Sequence, residues 1–295
     1  MIKPYLLVFF ALVMLGGSCD NEADKSITGK SFSDCVVSFG QNKNFEVVTF
    51  NIKNFPRKNN TIMHTAEFLG HLNADVIALQ EISNEGALIE LADKMDGWEY
   101  VFTTEPSYNI SLGYLIKMTE VELLEDDTRV LFEDDDWRFP RAPLVVKVKH
   151  RASGVETILV NLHLKAMGDD ESKRRRRLAS QKLKEYLDAR HPDDFVIVLG
   201  DYNDELDEDN PIDDVFSNFA DDSANYRFAD MSVARAGEEY WSYPDWPSHL
   251  DHILITDEWF EYHDTTWTVR PDECFNYYED YISDHRPVVT VFDLD

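Results

Sequence analysis

The strongest constraint on this chain is a set of short apolar runs that each finish in polar groups. Ala74–Leu79, Thr157–Leu164 and Phe195–Leu199 are near-continuous in aliphatic side chains. Runs of this kind are strands buried on both faces, so each must be covered from two sides. Helical spacing lies between them. Ile62, Ala66, Leu69 and Leu72 share one face of a segment with Thr61 as its candidate cap. A second helix is expected over Gly86–Lys94 and a long one over Glu171–Arg190, with Leu178, Leu183, Tyr186 and Leu187 roughly on one side. Further strands are expected at Phe45–Phe50, Leu112–Ile116 and Ala142–Val148, the last pairing with Thr157–Leu164 across a turn at Ser153-Gly154. Helices alternate with strands early and antiparallel pairs come later. That order points to one α/β domain, a four-layer sandwich of two mixed sheets packed face to face with helices outside.

The polar strand ends are the second constraint. In order they are Asn51, Gln80-Glu81, Asn161 with His163, Asp201 with Asn203, Asp251, and Asp284-His285. Carboxylates and amides at the ends of buried strands cost free energy unless something binds them. One cation satisfies several at once. Oxygen donors suit Mg2+ or Mn2+, with Ca2+ as a further choice, and two histidines without cysteine speak against zinc. An imidazole among them can give or take a proton near neutral pH.

Charge enters next. The chain carries 57 acidic and 28 basic residues, a net charge of −29. This disfavours non-specific attachment to nucleic acid or anionic membranes, although a bound cation can reverse the field at one site. The dense basic cluster Lys173–Arg177 opens the long helix. Either one or two of its arginines meet substrate phosphates, or all pair with surface acids. The acidic run Asp204–Asp222 lacks the spacing of a calcium-binding loop.

At the N-terminus, Lys3 precedes an apolar run from Tyr5 to Leu15, too short to span a bilayer and typical of a secretory signal. It ends in Gly16-Gly17-Ser18-Cys19, which reads as a lipoprotein cleavage box with Cys19 the lipidated residue; a plain cleaved signal is the alternative. Residues 1–19 are then a signal peptide, 20–44 a tether with a docking segment at Cys35–Phe39, and 45–295 the domain. Cys35 and Cys274 remain to pair or stay free. The protein is expected to be exported, lipid-anchored to the bacterial cell envelope, monomeric, and in contact with a membrane only through the anchor.

The order Asn, Gln-Glu, Asn-x-His, Gly-Asp-x-Asn, Asp in a strand and Ser-Asp-His resembles the endonuclease/exonuclease/phosphatase (deoxyribonuclease-like) superfamily, from about Phe45 to Asp293. The resemblance implies a metal-dependent phosphoesterase. It makes Glu81 the main metal ligand, with Asn51 beside it and Asp284 supporting the metal through water. Asp251 would orient His285, which acts on the attacking water or steadies the phosphate. Asp201 and Asn203 would position the nucleophile and a phosphate oxygen. His163 would be a candidate general acid. Asn161 and Arg141 would contact the phosphate, Arg141 serving equally well in a structural ion pair.

Two departures qualify the match. Lys53 stands two residues after Asn51, where some members carry an acid, which weakens a two-metal reading. No Glu stands before the Leu112 strand to orient His163, unless Glu105 reaches in. The substrate reading is a nuclease acting on DNA or RNA. The alternatives are a phosphatase or phosphodiesterase for a small or lipid phosphate (inositol phosphate or sphingomyelin-like), or a non-catalytic binding protein. The aromatic stretch Trp241–Trp246 could stack on a base, a sugar or an inositol and does not discriminate. His249 and His252 flank Asp251 and are expected to be packing or supporting residues, with a ligand role as the alternative.

Overall fold

The computed structural model describes residues 32–34, 36–103, 110–206 and 214–295. Its first sheet has six strands, in spatial order β12-β13-β1-β2-β4-β3. These are β1 (Asn44–Phe55), β2 (Val76–Ile82), β3 (Trp98–Phe102), β4 (Ser111–Lys117), β12 (His263–Thr268) and β13 (Val288–Asp293). The second has the order β10-β11-β9-β8-β7-β5, with β6 also on β7. It comprises β5 (Val121–Leu123), β6 (Arg129–Val130), β7 (Leu144–His150), β8 (Glu156–His163), β9 (Val196–Asp201), β10 (Tyr226–Phe228) and β11 (Asp251–Thr256). Each sheet is mixed: β1 and β2 are parallel, as are β8 and β9, and the other pairs are antiparallel.

Alternation of side chains along the strands builds three apolar layers. Val47, Ala78, Leu112, Tyr114, Val146, Leu159, Ile197 and Ile253 meet between the sheets. Val48, Phe50, Ile77 and Leu79 point the other way, onto α1 (Thr61–Leu72) and α2 (Glu85–Asp93). Val160, Leu162 and Val198 face α3 (Asp170–Arg190), which buries Ala179, Leu183 and Leu187. The double-sided apolar runs are therefore the central strands, and the sandwich expected from them is the observed fold.

Local chemistry sets the boundaries. The Asp169 side chain accepts the Ser172 N–H at 3.1 Å and starts α3, and Asn84 accepts Ala87 N–H at 3.1 Å to start α2. Thr61 differs from its expected capping role. Asn60 occupies the N-cap with φ 70°, and the Thr61 hydroxyl instead accepts the Lys58 N–H at 3.1 Å. The chain before β1 is more than a tether. Phe32 is buried with its ring 5.1 Å from both Phe68 and Phe275, and the His71 ring meets the Val36 carbonyl at 2.6 Å. Cys274 is disulfide-bonded. Cys35 and the signal region with Cys19 lie outside the described residues. No described helix is long and apolar enough to cross a membrane.

Candidate active site

The two parallel strand pairs end at the same edge of the sandwich, and strand register places the polar residues there. In the first sheet Asn51 pairs with Gln80, one residue before Glu81. In the second, Asp201 is the ladder partner of His163 on one side and of Asp251 on the other. That close packing requires Gly200: at φ 154° its Cα lies against the Leu162 backbone, where any Cβ would collide. Several site residues hold left-handed backbone, Glu81 at φ 63° and Asn203 at φ 56° among them. Non-glycine residues keep such conformations where the surroundings over-determine them.

Hydrogen bonds then join the sheets. The Asn51 amide donates to Asp201 Oδ2 at 2.9 Å and to Glu81 Oε1 at 3.2 Å. His163 Nε2 sits 3.4 Å from Asp201 Oδ2 and 4.0 Å from Glu81 Oε1. Asp251 Oδ2 holds His285 Nδ1 at 2.7 Å. The Ser283 hydroxyl donates to the Asn51 carbonyl at 2.6 Å and accepts the His285 N–H at 3.0 Å, fixing the loop that carries His285. Asn203 is set by its own N–H on Asp201 Oδ1 at 2.9 Å.

Burial and mutual charge make this cluster electrostatically loaded. Burial and the neighbouring Asp251 carboxylate push the Asp201 carboxyl up to about 7, against the pull of His285 and Asn51. Burial by itself would lower His285, but the Asp251, Asp201 and Asp284 carboxylates outweigh it and raise the imidazole to about 10. His163 goes the other way: burial, with the nearby positive charges of Arg141 and His285, holds it well below its ordinary range. Asp251 Oδ1 is buried without a hydrogen-bond partner among the described residues. Asp201, Asp251 and His285 each offer a ligand atom within 4.8 Å of one another. An excess of close carboxylate oxygens with an orphaned acceptor fits a hard divalent cation.

The structure thus brings together Asn51, Glu81, His163, Asp201, Asn203, Asp251 and His285. One other expectation is revised. Asn161 is fully buried and spends both amide hydrogens on the Leu79 and Gly113 carbonyls, at 3.0 and 2.9 Å, while its oxygen accepts from Gln80 at 2.8 Å. It clamps the sheets together and has no donor left for a phosphate. Arg141 lies beside the site, with Nη1 on the Leu164 carbonyl at 3.3 Å. Asp284 is ion-paired with Lys53.

Three residues of the basic cluster have structural partners. Arg176 is 1% exposed, forked on Asp204 at 3.0 and 2.8 Å, and bonded to the Lys165 and Met167 carbonyls. Arg174 and Arg175 stand over the Trp137 ring, each 5.4 Å from its centre. His249 and His252 pack as expected, but their partner was not legible. Both bond Asp230 Oδ2, at 2.9 and 2.6 Å, and Asp230 reaches strand β11 only through the fold. Tyr243, from the aromatic stretch Trp241–Trp246, lies against the site, its ring 4.9 Å from that of His285. Glu105 lies outside the described residues.

Two packed mixed sheets with acids and histidines at the converging strand ends define the class of phosphoester hydrolases. The model of the Endonuclease/Exonuclease/phosphatase family matches residues 48–285, and the chain belongs to that family, whose members hydrolyse phosphoester bonds and are generally divalent-metal dependent. Solved structures share the fold at low identity. D. rerio TDP2 complexed with single-strand DNA product is 13% identical with a TM-score of 0.62, covering 84% of this chain and 98% of that one. A Bacteroides thetaiotaomicron mannosyl-6-phosphatase is 16% identical with a TM-score of 0.60, over 83% and 98%. The human Nocturnin catalytic domain is 18% identical with a TM-score of 0.59, over 85% and 94%. No curated protein sequence matches the chain.

Proposed function

We propose that the protein is an exported, metal-dependent phosphoesterase, and foremost a nuclease hydrolysing phosphodiester bonds of DNA or RNA. The observation that carries the reading is the Asp201–Asp251–His285 cluster, joined through Asn51 to Glu81 across the two sheets. Glu81 and Asn51 are the residues that would hold a divalent cation, Mg2+ or Mn2+ in the first instance. Bound there, such an ion supplies Lewis acidity toward a phosphoryl oxygen and favours ionisation of water.

The chain's own groups do the rest. Asp251 grips His285 by Nδ1, so Nε2 is the nitrogen that can meet the attacking water or the phosphate. Held at Nδ1 by Asp251 and with its proton favoured by the Asp201 and Asp284 charges, His285 is suited to steady negative charge on the phosphate. His163, its Nε2 3.4 Å from Asp201 Oδ2 and its protonation disfavoured by burial, serves the phosphate as a hydrogen-bonding group, the general-acid role being the one the family resemblance implied. Asp201 and Asn203 orient the nucleophile.

A second reading is favoured by a specific observation. Arg176 of the basic cluster is buried on Asp204 and two carbonyls, Arg174 and Arg175 lie over Trp137, and the net charge is −29, which disfavours a long nucleic-acid track. A phosphatase or phosphodiesterase for a small or lipid phosphate needs no such track. The D. rerio TDP2 and mannosyl-6-phosphatase relatives support one reading each by analogy of fold. Export and anchoring through Cys19 belong to the same proposal, on the strength of the apolar run and small residues before it.

The test is hydrolysis by the purified chain from Asp20 onward, with Mg2+, Mn2+ or Ca2+, on plasmid DNA, single-stranded DNA, RNA, an inositol phosphate and a generic diester. Nicking of nucleic acid above the generic rate supports the nuclease. Turnover of small phosphates alone moves the assignment to the second reading. Metal-independent or absent turnover on every substrate overturns both.

A further inference from the structure

Lys53 is placed where the site's positive charge is decided. It lies two residues beyond Asn51, at the end of β1, in left-handed backbone with φ 37°. The residues expected to hold the metal also hold this turn: the Lys53 N–H donates to Asn51 Oδ1 at 3.0 Å, and the next N–H, of Asn54, donates to Glu81 Oε2 at 3.1 Å. From this turn the Lys53 side chain reaches Asp284, the residue before His285. There its ammonium pairs with Asp284 and stands 3.9 Å from Glu279 Oε1. Asp284 is nearly buried, with its side chain 10% exposed, whereas Lys53 keeps 27% of its side chain open to solvent. An ammonium has three donors, and one carboxylate oxygen does not exhaust them.

We propose that Lys53 is the built-in second cation of this site. Its ammonium neutralises Asp284 and donates to a non-bridging oxygen of the substrate phosphate, so the site takes one divalent ion and not two. The inference rests on the phosphoesterase reading and deepens it. A fixed ammonium and a divalent ion in one cleft repel, so Lys53 weakens metal binding while strengthening phosphate binding. A residue that merely shaped the turn would not produce effects of opposite sign.

The experiment is calorimetric titration of the metal-free protein with Mn2+ alone, for wild type, Lys53→Met, Lys53→Asn and Lys53→Asp. Asn and Asp are included because they tolerate left-handed backbone. Inhibition by inorganic phosphate at saturating Mn2+ is measured beside it, with Lys53→Arg as the conservative variant. The wild type is expected to bind one ion. Lys53→Met and Lys53→Asn should bind it roughly three- to tenfold tighter, the effect of removing one like charge near a protein surface. Phosphate inhibition should weaken roughly tenfold in both and be largely retained in Lys53→Arg, while Lys53→Asp should take up a second ion. Two ions in the wild type, or unchanged or weaker Mn2+ binding in a folded Lys53→Asn, would overturn the inference. Such results in an enzyme that still requires metal and His285 would leave the phosphoesterase reading standing. A wild type that binds no divalent ion would remove both.

Discussion

At the scale of single residues, the site is governed by one imbalance. Four acidic side chains, Glu81, Asp201, Asp251 and Asp284, share a cleft with His285 and Lys53, and at least Asp201 and Asp251 are nearly inaccessible to water. Without metal, the cluster settles by lifting His285 to about 10 and Asp201 to about 7. A histidine with a raised folded-state pKa stabilises the fold fully below its ordinary value near 6.5, and that contribution is lost as pH climbs toward 10. NMR titration of metal-free protein should therefore find His285 protonated at pH 8. Adding Mg2+ should lower its pKa, because a divalent charge opposes the proton. A His285 that titrates near 6.5 with or without metal would contradict this account. Asp251→Asn removes the carboxylate that fixes the ring, and the expected outcome is a loss in kcat of roughly 100-fold or more with the fold intact by circular dichroism.

At the scale of elements, the site depends on strands that approach closely and on a helix start that anchors the loop beyond Asp201. Gly200→Ala has no room against Leu162 and should destabilise the domain by about 2 kcal/mol or more, measured by denaturant unfolding. Arg176→Ala strands Asp204 and two carbonyls and should cost about 3 kcal/mol in the same assay, far beyond the effect of truncating exposed Arg174. The central strands were legible in the sequence because they are apolar on both faces, a pattern few other structures share. Strand β12, His263-Asp264-Thr265-Thr266-Trp267-Thr268, was not, because as an edge strand with polar alternation it resembles a loop. The polar strand ends could be read as one site from their order alone. The spending of Asn161 on two carbonyls and of Arg176 on Asp204 could not, because both depend on how far the two sheets and α3 stand apart.

At the scale of the whole molecule, a second pair of acids sits away from the site. Glu46 is fully buried beside Asp75, whose carboxylate accepts the Glu46 N–H at 2.9 Å. Burial and the Asp75 charge raise Glu46 to about 9, and burial raises Asp75 to about 6. A raised carboxyl pKa means that the folded state binds more protons than the unfolded one, so stability falls as pH rises from about 4.5 to 9. Glu46→Gln should flatten that slope and leave the variant more stable than wild type at pH 9, by on the order of 2 kcal/mol. Equal slopes in chemical unfolding from pH 5 to 9 would remove Glu46 as the source.

If the converging strand ends form a metal-dependent phosphoester hydrolase, turnover depends on both a divalent ion and His285. The most direct test is the rate of hydrolysis of a generic phosphodiester by wild type and His285→Ala, each with Mn2+ and after chelation. Wild-type turnover is expected to be abolished by a chelator and restored by metal, with a loss of roughly 1,000-fold or more in His285→Ala at unchanged fold. Turnover that survives chelation, or a fully active His285→Ala, would contradict it.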